Sequence, residues 1–363
     1  MLLMAIDHVR VYSGIPAGAP TPGIFFTRWI THFCAPAFAF LAGTSAFLYG
    51  RKLVNRQALA RFLSTRGLLL VLLELTVIRF AWTFNFNYRQ FTLAGVFWML
   101  GWCMALFAIL VRVFPPYIVG VLGLAIIFCQ QLFRFPLRVL PAQFQASVGW
   151  FWDFIYPTGM EDHPGIAILY VLVPWMGVMA AGYGIGLIII RDPADRRRLC
   201  LWIGLSATVL FLLIAGLGVV LNPAPANAHL PPLLRLLNQQ KYPASQLFLL
   251  MTLGPIISLL PLAERARGWL GDSLATMGRV PLFYYLLHIP LIHITALFVN
   301  FFREGQLHPE WYGTAPFTFL PPEHRWSLPL LYSVWAIVVA ILYPLCRWFA
   351  TVKARRISWL KYI

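Results

Sequence analysis

The chain has 363 residues, of which 60% are hydrophobic and only 11% charged. Soluble domains are about one quarter charged, so this composition excludes an ordinary soluble domain and predicts an all-α, polytopic membrane helix bundle. The net charge of +16 would point to nucleic acid in a soluble protein. Here the basic residues lie in short loops between apolar runs, where they set membrane orientation, and a nucleic-acid partner is excluded. The five cysteines (Cys34, Cys103, Cys129, Cys200, Cys346) lie in apolar segments without CxxC spacing. That pattern argues against a disulfide framework or a zinc site and for buried, inert thiols.

A membrane span needs about twenty apolar residues. Segments meeting or approaching this are 1–13, 30–50, 67–84, 92–112, 117–133, 164–190, 199–221, 244–262, 274–302 and 326–350. They predict about ten spans in one domain covering 1–363. The first run is short for a span. It carries no basic leader and runs directly into Asp7, His8, Val9 and Arg10, so it does not read as a cleavable signal peptide. With the N-terminus inside, the cytoplasmic loops hold the larger share of arginine and lysine (Arg51, Lys52, Arg56, Arg61, Arg66, Arg112, Arg191, Arg196, Arg197, Arg198, Arg265, Arg267, and Lys353, Arg355, Arg356, Lys361 in the tail). This predicts cytoplasmic N- and C-termini.

The longer loops 134–163, 222–243 and 303–325 then lie outside. They are rich in Pro, Trp and Tyr, and are expected to form turns or short interfacial pieces with aromatic anchors. Small residues four apart (Ala35, Ala39 and Gly43; Gly177 and Ala181; Gly182 and Gly186) let helix backbones approach closely and predict a compact bundle core that includes the second and sixth spans.

Ionisable side chains at membrane depth are costly, and they mark functional sites. The stretch AIDHVRVY, followed after a Gly/Pro-rich loop by FFTRWITHFCAPAFAFLAGTS, carries Asp7, His8, Arg10, Arg28 and His32. Asp7 and Arg10 are three apart and can pair; Arg28 and His32 are four apart and share a helix face. Asp7 and His8 are neighbours about 100° apart on the helix, so a histidine served by Asp7 would be His32. Imidazoles beside a carboxylate and cations suit general-base chemistry, and the arginines suit a developing oxyanion. The alternative use of the same groups is a hydrogen-bond network tying two helix ends together.

Further along, Glu74 and Arg79 precede Asn85 and Asn87, with structural pairing expected for Glu74. Asp153, Glu161, Asp162 and His163 form an acidic loop, expected to be solvated and able to meet a cationic or hydroxylated acceptor. His288 and His293 are five apart, so they point to different faces of one helix. Phosphate loops, nucleophile elbows and HExxH are absent from the sequence.

The stretches LMAIDHVRVY and FFTRWITHFCAPAFAFLAGTSAFLYG resemble the start of the bacterial membrane proteins related to the catalytic domain of heparan-α-glucosaminide N-acetyltransferase, and more distantly the acyltransferases that O-acetylate surface glycans. The resemblance continues in YVLVPWMGVMAAGYGIG (170–186), KYPASQLFLLMTLGP (241–255) and GRVPLFYYLLHIPLIH (278–293). It implies a bundle moving an acetyl group from cytoplasmic acetyl-CoA to an acceptor on the outer side, with no metal. Its polar position at the end of the first helix falls on Asp7 and His8; its second-helix motif falls on Arg28, Thr31 and His32, with Pro36 and Gly43 as packing landmarks. Two departures stand out. The relatives open the first helix with Asp-x-x-Arg-Gly, which would lie upstream of Met1 here, implying either an earlier start codon or a missing donor-side element. The lysosomal enzyme's catalytic histidine, between its first two helices, has no counterpart in 11–27.

The expected site therefore has His8, His32, Asp7 and Arg28 as catalytic residues. Arg10, Thr31, Asn85, His288 and Asp153 are expected to contact substrate, and Arg51, Lys52 and Arg66 the phosphates of acetyl-CoA. The expected partners are the lipid bilayer, a glycan or other small-molecule acceptor, and a second copy of the chain as a homodimer; the expected location is a bacterial inner membrane. Two other classes use the same charges: a proton-coupled transporter or flippase, which an internal repeat would favour and none is visible, and a non-catalytic envelope protein.

Overall fold

A computed structural model describes residues 1–16, 21–135, 139–157, 165–223, 230–314 and 320–355. The fold is almost wholly helical. Among the described residues, eight helical runs are long and apolar enough to cross a membrane: Pro22–Gly50, Val96–Val113, Pro116–Arg134, Leu172–Ile189, Pro193–Leu221, Gln246–Ala263, Pro281–Glu304 and Leu328–Ala354. The protein is an integral membrane protein on this ground. Two of the ten apolar segments take other forms. The opening run is a helix of 11 residues, Leu2–Tyr12, too short to cross alone. The 67–84 segment is split among a helix Arg56–Leu73, a π-turn Glu74–Ile78 and a short helix Arg79–Thr83.

Local chemistry sets many of the boundaries. Asn55 Oδ1 accepts from the Ala58 N–H at 2.9 Å, and Ser245 Oγ from the Phe248 N–H at 3.1 Å, each meeting one orphan donor of a helix start. The segment expected at 274–302 is two helices, Trp269–Gly278 and Pro281–Glu304. Pro281 disfavours helix at Val280 and supplies a ready first position for the next helix. The 134–163 loop contains a 14-residue helix, Ala142–Ile155, longer than the short pieces expected there. A pair of three-residue parallel strands, Thr92–Ala94 and Ile166–Ile168, is the one sheet among the described residues.

The chain divides into two compact units. The first comprises Met1–Cys34, Thr76–Phe91 and Arg265–Ile363, the second Ala35–Leu75 and Thr92–Glu264. In the first unit, helix 2–12 packs on helices 22–29, 281–304 and 328–354, and on the 3-10 turn Ile30–Phe33. Trp335 anchors it by donating Nε1–H to the Leu2 carbonyl at 3.0 Å.

The second unit is built by backbone approach. A β-carbon on Gly43 would strike the Met179 carbonyl, and one on Gly182 would strike the Phe40 carbonyl. Thr44 Oγ1 donates to the Gly182 oxygen across the same seam at 2.8 Å. The small residues expected to place these two spans in the packed core also bring their backbones against each other.

Candidate active site

The first unit gathers a histidine–aromatic cluster around helix 2–12. His8 Nδ1 lies 2.6 Å from His288 Nε2. The other nitrogen of His288, Nδ1, lies 2.7 Å from the Tyr285 carbonyl oxygen and 3.1 Å from that of Tyr284. Carbonyl oxygens only accept, so His288 Nδ1 carries a hydrogen. With both rings neutral, His288 Nε2 is then the acceptor and His8 Nδ1 the donor. The basic lone pair of the dyad is left on His8 Nε2. A proton taken up there makes an imidazolium whose Nδ1–H points at His288, the orienting role a carboxylate plays in a catalytic triad.

Aromatic rings hold this geometry. The Trp82 ring stands edge-on to His8 at 4.9 Å and that of Tyr285 at 6.1 Å. Trp82 lies in the last turn of the short helix 79–83, whose last carbonyls are met by side chains: Tyr12 Oη donates to Trp82 O at 3.0 Å, and His293 Nδ1 to Ala81 O at 3.2 Å. These bonds satisfy orphan carbonyls at the helix end. Below them, the Tyr12, His293 and Tyr312 rings meet at 5.2–5.5 Å. Burial pushes the Tyr312 phenol up to about 12, so it stays neutral; its oxygen accepts from Asn300 Nδ2 at 3.1 Å.

Arg79 organises the loop that follows. Its Nε donates to Phe91 O at 3.0 Å and Nη1 to Thr83 Oγ1 at 3.1 Å; Nη2 donates to Asn85 Oδ1 at 3.0 Å and to Asn87 O at 2.5 Å. Nη1 also donates to the Asn85 carbonyl. The guanidinium lies 4.5 Å from the Tyr88 ring centroid. This buried cation is thus satisfied by neutral acceptors and an aromatic face.

The residues expected to form the site fare differently. Asp7 pairs with Arg10, as their spacing predicts, at 3.0 Å, and Arg10 Nη1 also holds the Ile15 carbonyl at 3.2 Å. His8 is oriented by His288. Thr31 and His32 are buried on the 3-10 turn packed on helix 2–12. Thr31 Oγ1 donates to the Arg28 carbonyl at 2.7 Å, a local bond that shapes this turn. Asn85 spends its amide on Arg79 and on the Gly313 carbonyl, at 2.9 Å. His288 and His293 are both buried and both serve this cluster: His288 faces helix 2–12, and His293 faces the end of helix 79–83 and Tyr312. The helix carrying them contains Pro290 between the two.

Asp153, Arg51, Lys52 and Arg66 belong to the second unit. Asp153 sits on helix 142–155 and is only 7% exposed, which corrects the expectation of a solvated loop. Its sequence neighbours Glu161, Asp162 and His163 lie outside the described residues. Arg51 and Lys52 are exposed in the turn after Gly50, and Arg66 is half-buried on helix 56–73. Glu74 meets neither Arg79 nor another cation among the contacts resolved: Oε2 accepts the Phe97 N–H at 2.9 Å, so it caps helix 96–113 from a distance. Gly95 is glycine because a β-carbon there would meet that carboxylate. Sequence reasoning missed Trp82, Tyr12 and His293 as supports of His8; the i, i+4 spacing of His8 and Tyr12 was the available signal.

No protein-family model matches the chain, and no curated protein matches it in sequence. Among the described residues, no group of His, Cys, Asp and Glu could hold a metal ion.

Proposed function

We propose that this protein is a membrane-bound acyltransferase that moves an acetyl group from acetyl-CoA to an amine or hydroxyl of a glycan acceptor. The observation that carries the proposal is the 2.6 Å contact between His8 Nδ1 and His288 Nε2, with His288 Nδ1 committed to main-chain carbonyls. In this reading the acceptor N–H or O–H gives its proton to His8 Nε2 as the acceptor atom bonds to the thioester carbonyl carbon. The carbonyl oxygen becomes an oxyanion, stabilised by Arg28 and His32. Collapse of this intermediate breaks the carbon–sulfur bond, and the CoA thiolate leaves, taking the proton from His8. The product is the acetylated acceptor, and the by-product is free CoA.

The resemblance to the heparan-α-glucosaminide N-acetyltransferase group supports the reaction class. The finer topology proposed, about ten spans with both ends cytoplasmic, follows from the apolar segments and the arginine and lysine bias of the loops, and the short loops suit a bacterial inner membrane. The test is purified protein in detergent with radiolabelled acetyl-CoA and glucosamine. Label transfer or thioester hydrolysis is expected in the wild type and lost in His8→Ala, with a smaller loss in His288→Gln. Turnover unchanged in His8→Ala would reject His8 as the base, and no turnover by the wild type with a panel of amino and hydroxyl sugars would reject the acyltransferase.

A further inference from the structure

Helix Pro193–Leu221 presents an unusual face. It has 29 residues, and only 17% of its apolar span is buried. Its inward side carries Cys200, Gly204, Phe211 and Ala215, and Gly204 lies against Gly254 and Ser258 of helix 246–263. About a quarter-turn round the helix, at 3.6 residues per turn, a groove is lined by Ala194, Arg197, Arg198, Leu201, Trp202 and Leu205. It is a shallow, open groove along this one helix, with about 510 Å³ of space beside it.

The three arginines of this first stretch do different work. Arg196 is committed: its Nη2 and Nε bind Glu264 Oε2 at 2.7 and 3.1 Å, and its Nη1 caps the Ile189 and Arg191 carbonyls. Arg197 and Arg198 are exposed, and no carboxylate lines the groove they face. The exposed carboxylates nearby are Asp192, at the helix start, and Asp195, three residues before Arg198; Arg191 offsets one of them, so the stretch keeps a net positive charge beside Arg197 and Arg198. Below the arginines the lining turns apolar. Trp202 is 65% exposed and Leu205 54%.

We propose that this groove is a binding site for an anionic phospholipid. Arg197 and Arg198 bind the phosphate through their forked N–H groups. The Trp202 indole lies at the level of the glycerol backbone, where amphipathic rings settle in a bilayer. An acyl chain runs along Leu201 and Leu205. A soluble phosphate compound would match the arginines and leave the tryptophan and leucines against water; a lipid matches both halves of the groove.

The test is native mass spectrometry of the full chain released from detergent, with phosphatidylglycerol or phosphatidylcholine added. Surface arginines contribute additively to anionic-lipid binding, so Arg197→Gln/Arg198→Gln should weaken phosphatidylglycerol binding about thirtyfold. Trp202→Ala should weaken it less, and phosphatidylcholine should bind poorly to every form. Arg61→Gln/Arg112→Gln removes the same charge elsewhere and should leave binding unchanged. Equal binding by wild type and the groove variant, or equal loss in the Arg61/Arg112 control, would overturn the site. Competition by millimolar inorganic phosphate or CoA would assign it to a soluble phosphate instead of a lipid. A groove variant that loses a dimer peak while keeping its lipid adducts would assign the face to self-association. Arg197→Lys/Arg198→Lys, which keeps the charge and removes the fork, gives an intermediate affinity if the site is as proposed, and guards against a Gln variant that does not fold.

Discussion

The two units fill the space between their helices by opposite means. The second does it with absence: glycines let one backbone lie on another, so carbonyls such as those of Met179 and Phe40 occupy the places where side chains would begin. The first does it with bulk and polarity, through rings of His8, Trp82, Tyr12, His293 and Tyr312; the donors of Tyr12 and His293 end on helix carbonyls, and that of His8 on His288. In a bilayer, where burying apolar surface between helices brings little, close contact and hydrogen bonds are the two available sources of cohesion. The difference separates roles. A glycine seam tolerates no added atom and does no chemistry; a ringed histidine tolerates some change in shape and can move a proton.

Substitutions can break or sharpen this contrast. The largest effect is expected for His8→Ala, where acyl transfer should fall by about 10²–10⁴, the span of general-base catalysis. The variant also leaves Nε2 of buried His288 without its donor, so its detergent melting temperature should fall by the equivalent of about 1–3 kcal/mol, far less than the loss of rate. Next comes Gly182→Ala, which puts a methyl into the Phe40 carbonyl and should cost about 1–3 kcal/mol of stability. Its thermal aggregation in detergent should come earlier, while turnover of the protein that remains folded stays normal; a silent variant would mean the seam is slack. Glu74→Ala should cost about 0.5–2 kcal/mol by uncapping helix 96–113, whereas Glu74→Gln keeps an accepting oxygen and should lie much nearer the wild type in the same melting assay. The smallest effect is expected for Tyr12→Phe, which removes one bond to the Trp82 carbonyl, worth about 0.5–1.5 kcal/mol. If the first unit is arranged for chemistry, that variant should show a lower rate at saturating substrate alongside its small loss of stability.

What the sequence disclosed depends on how far apart the partners lie. The Asp7–Arg10 pair is one helical turn long and could be read directly. That the spans carrying Gly43 and Gly182 belong to the packed core could be read from small residues at spacing four, and most spans from runs of apolar residues; that the two meet each other could not. The partner of His8 is 280 positions away, and no local pattern selects His288 over His32. Five-residue spacing correctly separated His288 and His293 onto different faces. It could not say that the cluster reaches round the helix far enough to use both. The π-turn at 74–78 was hidden because an apolar run looks the same whatever its helical pitch. Asp153 was misjudged because the aromatic run before it, GWFWDF, reads as an interfacial loop, when it is a helix that buries that carboxylate.

The orientation of His288 has one more consequence. A hydrogen-bonded wire hands protons onward only if each member can receive on one side and release on the other. Beyond His288 the chain of contacts meets peptide oxygens, which hold a hydrogen bond and pass nothing along. A charge accepted at His8 therefore has no exit through its neighbour and must leave by the door through which it came. Such a cul-de-sac suits a cycle that borrows and returns one proton, and it is poorly suited to conducting protons through the dyad from one side of a membrane to the other.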